Sequence, residues 1–327
     1  MFNPYQKISE ITASYLAYFG DYTISDLEFI KGLNKLILAH DFPIINRKYR
    51  TTRDLNTNFN YAYNFLGSIK GTYADYLKKA WHDQTFNFIS NKIPSRANSG
   101  VNSKTGKREI IFPICNTIED SYAITHEIMH DYNMDIKNHS MTRNIMSEAI
   151  SICAEMLQED YFARISKAPL EYEKNMLNDM SAILYKAVSI QYQIDVIEKY
   201  LLENEICYDN FCDIAESRTD RDIEIGNEIF NEIIEKEELD IDTEQRYIIG
   251  ILLASLMHQN ILNNPNKIND FITLNENINE LELDEVFNMF NLSLISEDGA
   301  ILKVEDTSLK VLEKAYIKEI KRRRLSI

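Results

Sequence analysis

Residues 126–130 read His126-Glu127-Ile128-Met129-His130, and the apolar spacing around them predicts a helix. Residues four apart on a helix project from the same face, one turn apart. Both imidazoles can therefore reach one metal ion at the ~2.0–2.1 Å of zinc–nitrogen bonds. Glu127 lies beside the first histidine, where its carboxylate can take a proton from a zinc-bound water. The alternative interpretation is a helix with two surface histidines.

A catalytic zinc ion needs a third protein ligand and an open position. The predicted helix over 141–163 carries Glu148 and Glu155 two turns apart, on a side that also carries Ile152. Carboxylates on a buried face need partners, because an unpaired buried charge is costly. We predict Glu148 as the third ligand and Glu155 as a carboxylate that orients a histidine. Two alternatives stay open: Glu155 is the ligand, or both acids pair with basic side chains of other helices.

The composition excludes several classes of protein. The chain has 327 residues, 35 basic and 51 acidic, and its formal charge of −16 disfavours nucleic acid and anionic membranes as partners. Hydrophobic residues make up 45%, whereas 9 glycines and 6 prolines leave few turns, so we expect a mainly α-helical fold. The N-terminus lacks a signal-peptide pattern and four cysteines are too few to staple the chain, so we expect a cytoplasmic protein.

The spacing of apolar residues and of turn formers predicts the order of elements. Helices are predicted near 5–19, 24–39, 60–90, 118–133, 141–163, 170–204, 219–237, 243–263, 280–290 and 307–324. The segment 94–106 predicts a hairpin-like loop, 109–115 a short strand, and Asp298-Gly299 a tight turn between helices. Thr117 and Asp120 form a pattern similar to a capping box at the start of the histidine helix.

These motifs resemble the catalytic core of the oligoendopeptidase F and thimet oligopeptidase family of zinc metallopeptidases. Its strong motifs are Asn116 and Asp120 before the zinc helix, the histidine motif at 126–130, and the stretch Glu148-Ala-Ile-Ser with Glu155 after it. The likeness covers roughly residues 60–320, and its outer part includes Tyr247-Ile-Ile-Gly250 before an apolar helix. The resemblance implies a mostly helical gluzincin, with a small sheet that edges a deep cleft. It also implies one zinc ion per chain and cleavage of extended peptides at internal bonds.

The resemblance implies roles for individual residues. Glu127 is the general base, and Glu155 and Asp120 support the zinc ligands from behind. Tyr247 is what remains of a cluster of His and Tyr side chains that stabilises the oxyanion, an effect of about 10²–10³ in rate. The alternative for Tyr247 is a packing aromatic, and His258 is either a core residue or a site residue. We expect the substrate to pair with an edge strand near 109–115.

The sequence also departs from the family pattern. Met129 and Asn133 replace a Gly and a His, and the gap from His130 to Glu148 is about two turns shorter. We expect no room for the family's N-terminal helices that roof the cleft, and hence cleavage of longer unstructured polypeptides as well as short ones.

We therefore predict one compact catalytic domain over 1–327, with an N-terminal helical part at 1–58 and a zinc peptidase core at 59–327. Two alternatives for its function are a catalytically weak or inactive peptide-binding protein of this fold and a protease with one specific protein target. The oligomeric state is left open.

Overall fold

The computed structural model of the protein describes residues 3–19, 24–40, 53–89, 97–132, 141–165, 169–209, 220–297 and 300–324. Most of these residues are helical, so the prediction of a mainly α-helical fold is confirmed. The helices are α1 Pro4–Phe19, α2 Ile24–Leu38, α3 Leu55–Ile69, α4 Gly71–His82, α5 Glu119–Tyr132, α6 Met141–Ile165, α7 Pro169–Glu203, α8 Asp220–Lys236, α9 Ile241–Asn263, α10 Ile268–Asn277, α11 Leu283–Met289 and α12 Asp306–Arg324, with a 3₁₀ turn at Pro265–Lys267.

Two small sheets accompany the helices. The first contains β1 Phe86–Ile89, β2 Asn98–Val101 and β3 Arg108–Pro113, in the order β1-β3-β2. In it β1 runs parallel to β3, and β2 runs antiparallel to β3. The second sheet is an antiparallel pair, β4 Leu294–Glu297 and β5 Ala300–Val304.

The strand order corrects the prediction that an edge strand lies near 109–115. The strand in this segment is β3, and its backbone groups pair with β1 on one side and with β2 on the other. A bound peptide therefore cannot add to β3. Among the described residues, the edges of this sheet are β1 and β2.

The helix predicted over 60–90 is two helices and a strand. Lys70 has an extended backbone (φ −157°, ψ 130°), which ends α3 and begins α4. Gln84 has a left-handed backbone (φ 57°) just after α4, and β1 follows two residues later. The aromatic residues of β1 continue the apolar pattern of α4, which explains why the sequence suggested one long helix.

The helix α10 and the strands β4 and β5 were not predicted from the sequence. The turn predicted at Asp298-Gly299 lies outside the described residues, and the elements on its two sides are the strands β4 and β5 and not helices. Asn133 and the first part of the 94–106 loop also lie outside the described residues. None of the helices in the described ranges is both long enough and apolar enough to cross a bilayer.

The chain divides into two compact units that interleave along the sequence. The first contains Met1–Pro43, Met180–Ile249 and Asp284–Glu313, and the second contains Ile44–Asp179, Gly250–Leu283 and Lys314–Ile327. Each has a buried apolar core: Leu27, Ile30, Leu33, Ile190 and Ile194 in the first, and Phe65, Leu77, Phe112, Ile128 and Ile145 in the second. The division into 1–58 and 59–327 stays a prediction.

Candidate metal centre

Hydrogen bonds in the preceding turn fix the start of α5, and both the turn and the helix lie in the second unit. The carboxylate of Asp120 accepts hydrogen bonds from the backbone amides of Cys115 (3.0 Å) and Asn116 (2.9 Å). Asn116 has a left-handed backbone (φ 57°), which asparagine tolerates better than most residues. The Thr117 hydroxyl accepts a hydrogen bond from the amide of Glu119 (3.3 Å). Burial raises the pKa of Asp120 despite these amides.

Asp120 was predicted to support the zinc ligands, whereas in the structure its carboxylate bonds to backbone amides of the turn before α5. It lies in the first turn of α5, six residues before His126, which is about 9 Å along a helix axis. Its carboxylate fixes the turn before the helix, and so the direction in which α5 leaves that turn.

The far end of α5 is tied to the sheet and to α4. Arg108 of β3 donates a hydrogen bond to the backbone oxygen of Asp131 (2.8 Å). The Tyr76 hydroxyl of α4 donates to the buried carboxylate of Asp131 (2.7 Å). Asp131 directly follows His130, so these contacts fix the turn of helix that carries the second histidine.

Three potential metal ligands converge between α5 and α6. The Nε2 atoms of His126 and His130 lie 2.8 Å apart. Glu148 Oε2 lies 3.5 Å from Nε2 of His126 and 3.6 Å from Nε2 of His130. One donor atom from each residue can therefore face a common point, and the three side chains form a group that could hold one metal ion.

Polar side chains of α6 form hydrogen bonds with the Nδ1 atoms of both imidazoles, the ring nitrogens other than the converging Nε2 atoms. Nδ1 of His126 is hydrogen-bonded to the carboxylate of Glu155, and Nδ1 of His130 is hydrogen-bonded to the hydroxyl of Ser147. The Ser151 hydroxyl donates to the backbone oxygen of His126 (3.1 Å). When each Nδ1 donates its proton, Nε2 keeps a lone pair for a metal.

Sequence reasoning missed Ser147 as a partner of His130. The signal that could have found it is the recurrence of Ser147, Ser151 and Glu155 at four-residue intervals, which places them on one helix face. Glu148 precedes Glu155 by seven residues and lies on nearly the same face.

The charges at this site are mutually dependent. Burial lowers the pKa of His126, but the carboxylates of Glu155 and Glu148 outweigh burial, and the pKa is well above its usual value. Burial raises the pKa of Glu148, but His130 and His126 hold it well below the usual range. Glu148 is therefore an ionised carboxylate in a buried position, as a ligand of a cation should be.

Glu127 directly follows His126 on α5 and does not belong to the ligand group. Its side chain is buried, with the residue 5% exposed, and its Oε2 atom has no hydrogen-bond partner in the part of the chain that the structure describes. A buried carboxylate oxygen without a partner is costly. A water molecule at a metal held by His126, His130 and Glu148 would supply that partner. Two imidazoles and one carboxylate are also the donor set of many catalytic zinc sites, so the residues fit zinc.

Tyr247 lies on α9 in the first unit, whereas the ligand group lies in the second. The Lys186 ammonium lies 4.0 Å from the centroid of the Tyr247 ring, and the Arg246 guanidinium lies 5.0 Å from it. Nη2 of Arg246 donates to the Tyr247 hydroxyl (3.3 Å). The catalytic role of Tyr247 stays a prediction.

His258 is a core residue of the second unit. It is fully buried, and its ring nitrogens bond to Glu319 (2.9 Å) and Asp160 (3.0 Å). Because both nitrogens are engaged, His258 cannot also bind a metal or a substrate.

No family model matches the sequence, and no curated protein matches it. Two solved structures do. One is described as a "putative peptidase" from Chlamydophila abortus, with a TM-score of 0.56, 15% identity, and coverage of 100% of this chain and 56% of that chain. The other is described as a "putative oligoendopeptidase F" from Bacillus anthracis str. Ames, with a TM-score of 0.47, 14% identity, and coverage of 97% and 56%.

The chain thus spans 56% of the length of each of these structures. At this level of identity the likeness concerns the fold. The chain therefore shares, over its whole length, the fold of the structure described as a "putative peptidase".

Proposed function

We propose that the protein is a zinc-dependent metalloendopeptidase that hydrolyses internal bonds of extended peptides. The observation that carries the proposal is the convergence of His126, His130 and Glu148, together with the buried carboxylate of Glu127 directly after His126, whose Oε2 has no partner among the described residues. A ligand group made only to hold a structural ion has no need of that carboxylate. The fold shared with a structure described as a peptidase supports the same reaction class.

Each residue has a proposed task. His126, His130 and Glu148 would hold the zinc ion, which when bound would lower the pKa of a coordinated water toward about 7 and polarise the carbonyl of the scissile bond. Glu127 accepts a proton from the attacking water and then delivers it to the leaving amine. Glu155 and Ser147 hold His126 and His130 with their Nε2 atoms toward the site. Tyr247 is proposed to donate a hydrogen bond to the oxyanion.

The edge of the first sheet is the proposed place for the substrate backbone. Among the described residues β2 pairs with β3 alone, and it packs against α5, the helix of the two histidines. An extended peptide can add to such an edge through main-chain hydrogen bonds. Because main-chain pairing involves few side chains of the peptide, we propose that the sequence preference of the enzyme is weak away from the scissile bond.

The experiment that tests the function is cleavage of a quenched fluorescent peptide library. We expect cleavage at internal bonds, its loss after treatment with a zinc chelator, and its return when zinc is added. Peptide binding without cleavage by the zinc-loaded protein would instead favour the non-catalytic alternative. A ladder of peptides of increasing length, followed by an unfolded protein, tests the expected cleavage of longer chains.

The metal ligands can be tested by metal content. The purified protein is expected to carry one zinc per chain, and Glu148→Ala is expected to lose most of it on dialysis. Glu155→Ala is expected to keep zinc at about 10–100-fold lower affinity, because Glu155 contacts His126 and not the ion. Glu285→Ala, at an exposed carboxylate on α11, is the control. Zinc retained in Glu148→Ala but lost in Glu155→Ala would make Glu155 the ligand.

The substrate position can be tested with N-methylated peptides. Methylation of a single amide that pairs with β2 is expected to lower kcat/KM by about two- to tenfold, because one hydrogen bond is lost. Exchange of the side chain at the same residue is expected to change kcat/KM less. If no amide on either side of the scissile bond is sensitive to methylation, pairing with β2 is wrong.

A further inference from the structure

Gly250 lies on α9 where this helix passes α6 at Glu148. A Cβ atom at Gly250 would lie 3.1 Å from the Cβ of Glu148 and 3.3 Å from the backbone nitrogen of Ala149. Distances of this length are shorter than nine in ten of the contacts that Cβ atoms make in proteins. The neighbouring atoms are backbone or the first side-chain atom, which cannot rotate away. Only glycine allows α9 to lie this close to α6.

The position of Gly250 within its helix makes this closeness informative. Glycine is unfavourable in a helix interior compared with alanine, because its backbone loses more freedom on folding. Gly250 lies ten residues into the 23-residue α9, and the buried Ile251 and Leu252 follow it. Local helix propensity therefore does not explain a glycine here, whereas the contact with Glu148 does.

A second contact between the same two helices lies further along α9. His258, eight residues after Gly250, bonds to Asp160, twelve residues after Glu148 on α6. The part of α6 that carries Glu148 and Glu155 is therefore attached to α9 near both of its ends. A change in the spacing at Gly250 cannot be absorbed by a free movement of α6.

We propose that Gly250 is a positioning residue of the metal centre: it sets how close α6 lies to α9 at Glu148, and thereby where the Glu148 carboxylate stands relative to His126 and His130. The inference rests on the proposed zinc site. Zinc–ligand distances hold within about 0.2 Å. A Cβ at Gly250 would displace Glu148 by a few tenths of an ångström, which is the size of that tolerance.

The test is the zinc affinity of Gly250→Ala, measured by competition with a chromophoric chelator. We expect the dissociation constant to rise about 10–100-fold, as for other residues that orient metal ligands. The control is Gly32→Ala on α2, where no described atom lies within 4 Å of the added Cβ. It is expected to leave zinc affinity unchanged and to raise Tm by about 1–3 °C through helix propensity. Unchanged zinc affinity in Gly250→Ala would overturn the proposal.

The wild-type protein is measured first, so that a failure to bind zinc counts against the proposed function and not against the role of Gly250. The same substitution is then made in Glu148→Ala, where we expect no further loss of zinc affinity. A loss by the same factor in that background would show that Gly250 does not act through Glu148. If Gly250→Ala fails to fold, it is combined with Glu148→Gly, which removes the nearest atom. Recovery of folding supports the contact, and continued failure overturns it.

Discussion

Glu127→Gln is expected to lower kcat for peptide cleavage by about 10²–10⁴-fold while one zinc per chain stays bound. Glutamine keeps the size and shape of the side chain but cannot accept the proton of the attacking water. Zinc stays because Glu127 lies outside the group formed by His126, His130 and Glu148. The measurement is kcat together with zinc content on the same preparation.

A matched control for this variant lies on the same helix. Glu119→Gln changes an exposed carboxylate in the first turn of α5 and is expected to leave both kcat and zinc content unchanged. Unchanged turnover in Glu127→Gln would end the assignment as a peptidase with this base. Loss of zinc together with loss of turnover would mean that Glu127 acts on the metal and not on the water.

Local periodicity explains why much of the candidate site could be predicted from the sequence. His126 and His130 face one point because a helix repeats every 3.6 residues, and α5 supplies that repeat. Glu148 and Glu155 could be placed on one face of α6 by the same rule. The structure brings Glu148 to the two imidazoles and Glu155 to the back of His126.

Contacts between distant segments could not be predicted in this way. The pairing of β3 with β1 joins distant residues, such as Phe86 with Ile110, and the sequence of β3 does not reveal that it lies between β1 and β2. From the sequence Asp120 could face either the histidines or the turn before it, and its hydrogen bonds to the amides of Cys115 and Asn116 appear only in the structure. The contact of Gly250 with Glu148 could not be predicted either, because it depends on the approach of another helix.

His258→Ala is expected to lower the free energy of unfolding by about 3–5 kcal/mol. The substitution leaves the buried carboxylates of Asp160 and Glu319 without the imidazolium between them. Arg322 still contacts Asp160, and Gln259 still contacts Glu319, but neither replaces the lost charge at both acids. The measurement is urea unfolding with chelator present, so that zinc binding does not add to the stability.

The effect of His258→Ala should depend on pH in a defined direction. Burial lowers the pKa of His258, but Glu319 and Asp160 outweigh burial and raise it above the usual value. Its contribution is therefore fully present below the unfolded pKa of about 6.5 and is lost as pH rises through the raised pKa. Asp160, whose pKa is lowered against the effect of burial by His258 and Arg322, limits the contribution only in acid. The difference between wild type and His258→Ala should thus be larger at pH 6 than at pH 9.

The control is His82→Ala, at a side chain 90% exposed on α4, which is expected to change stability by less than about 0.5 kcal/mol at either pH. If His258→Ala lowers the free energy of unfolding equally at both pH values, then packing of the ring, and not its charge, stabilises the contact of α6, α9 and α12, which carry Asp160, His258 and Glu319.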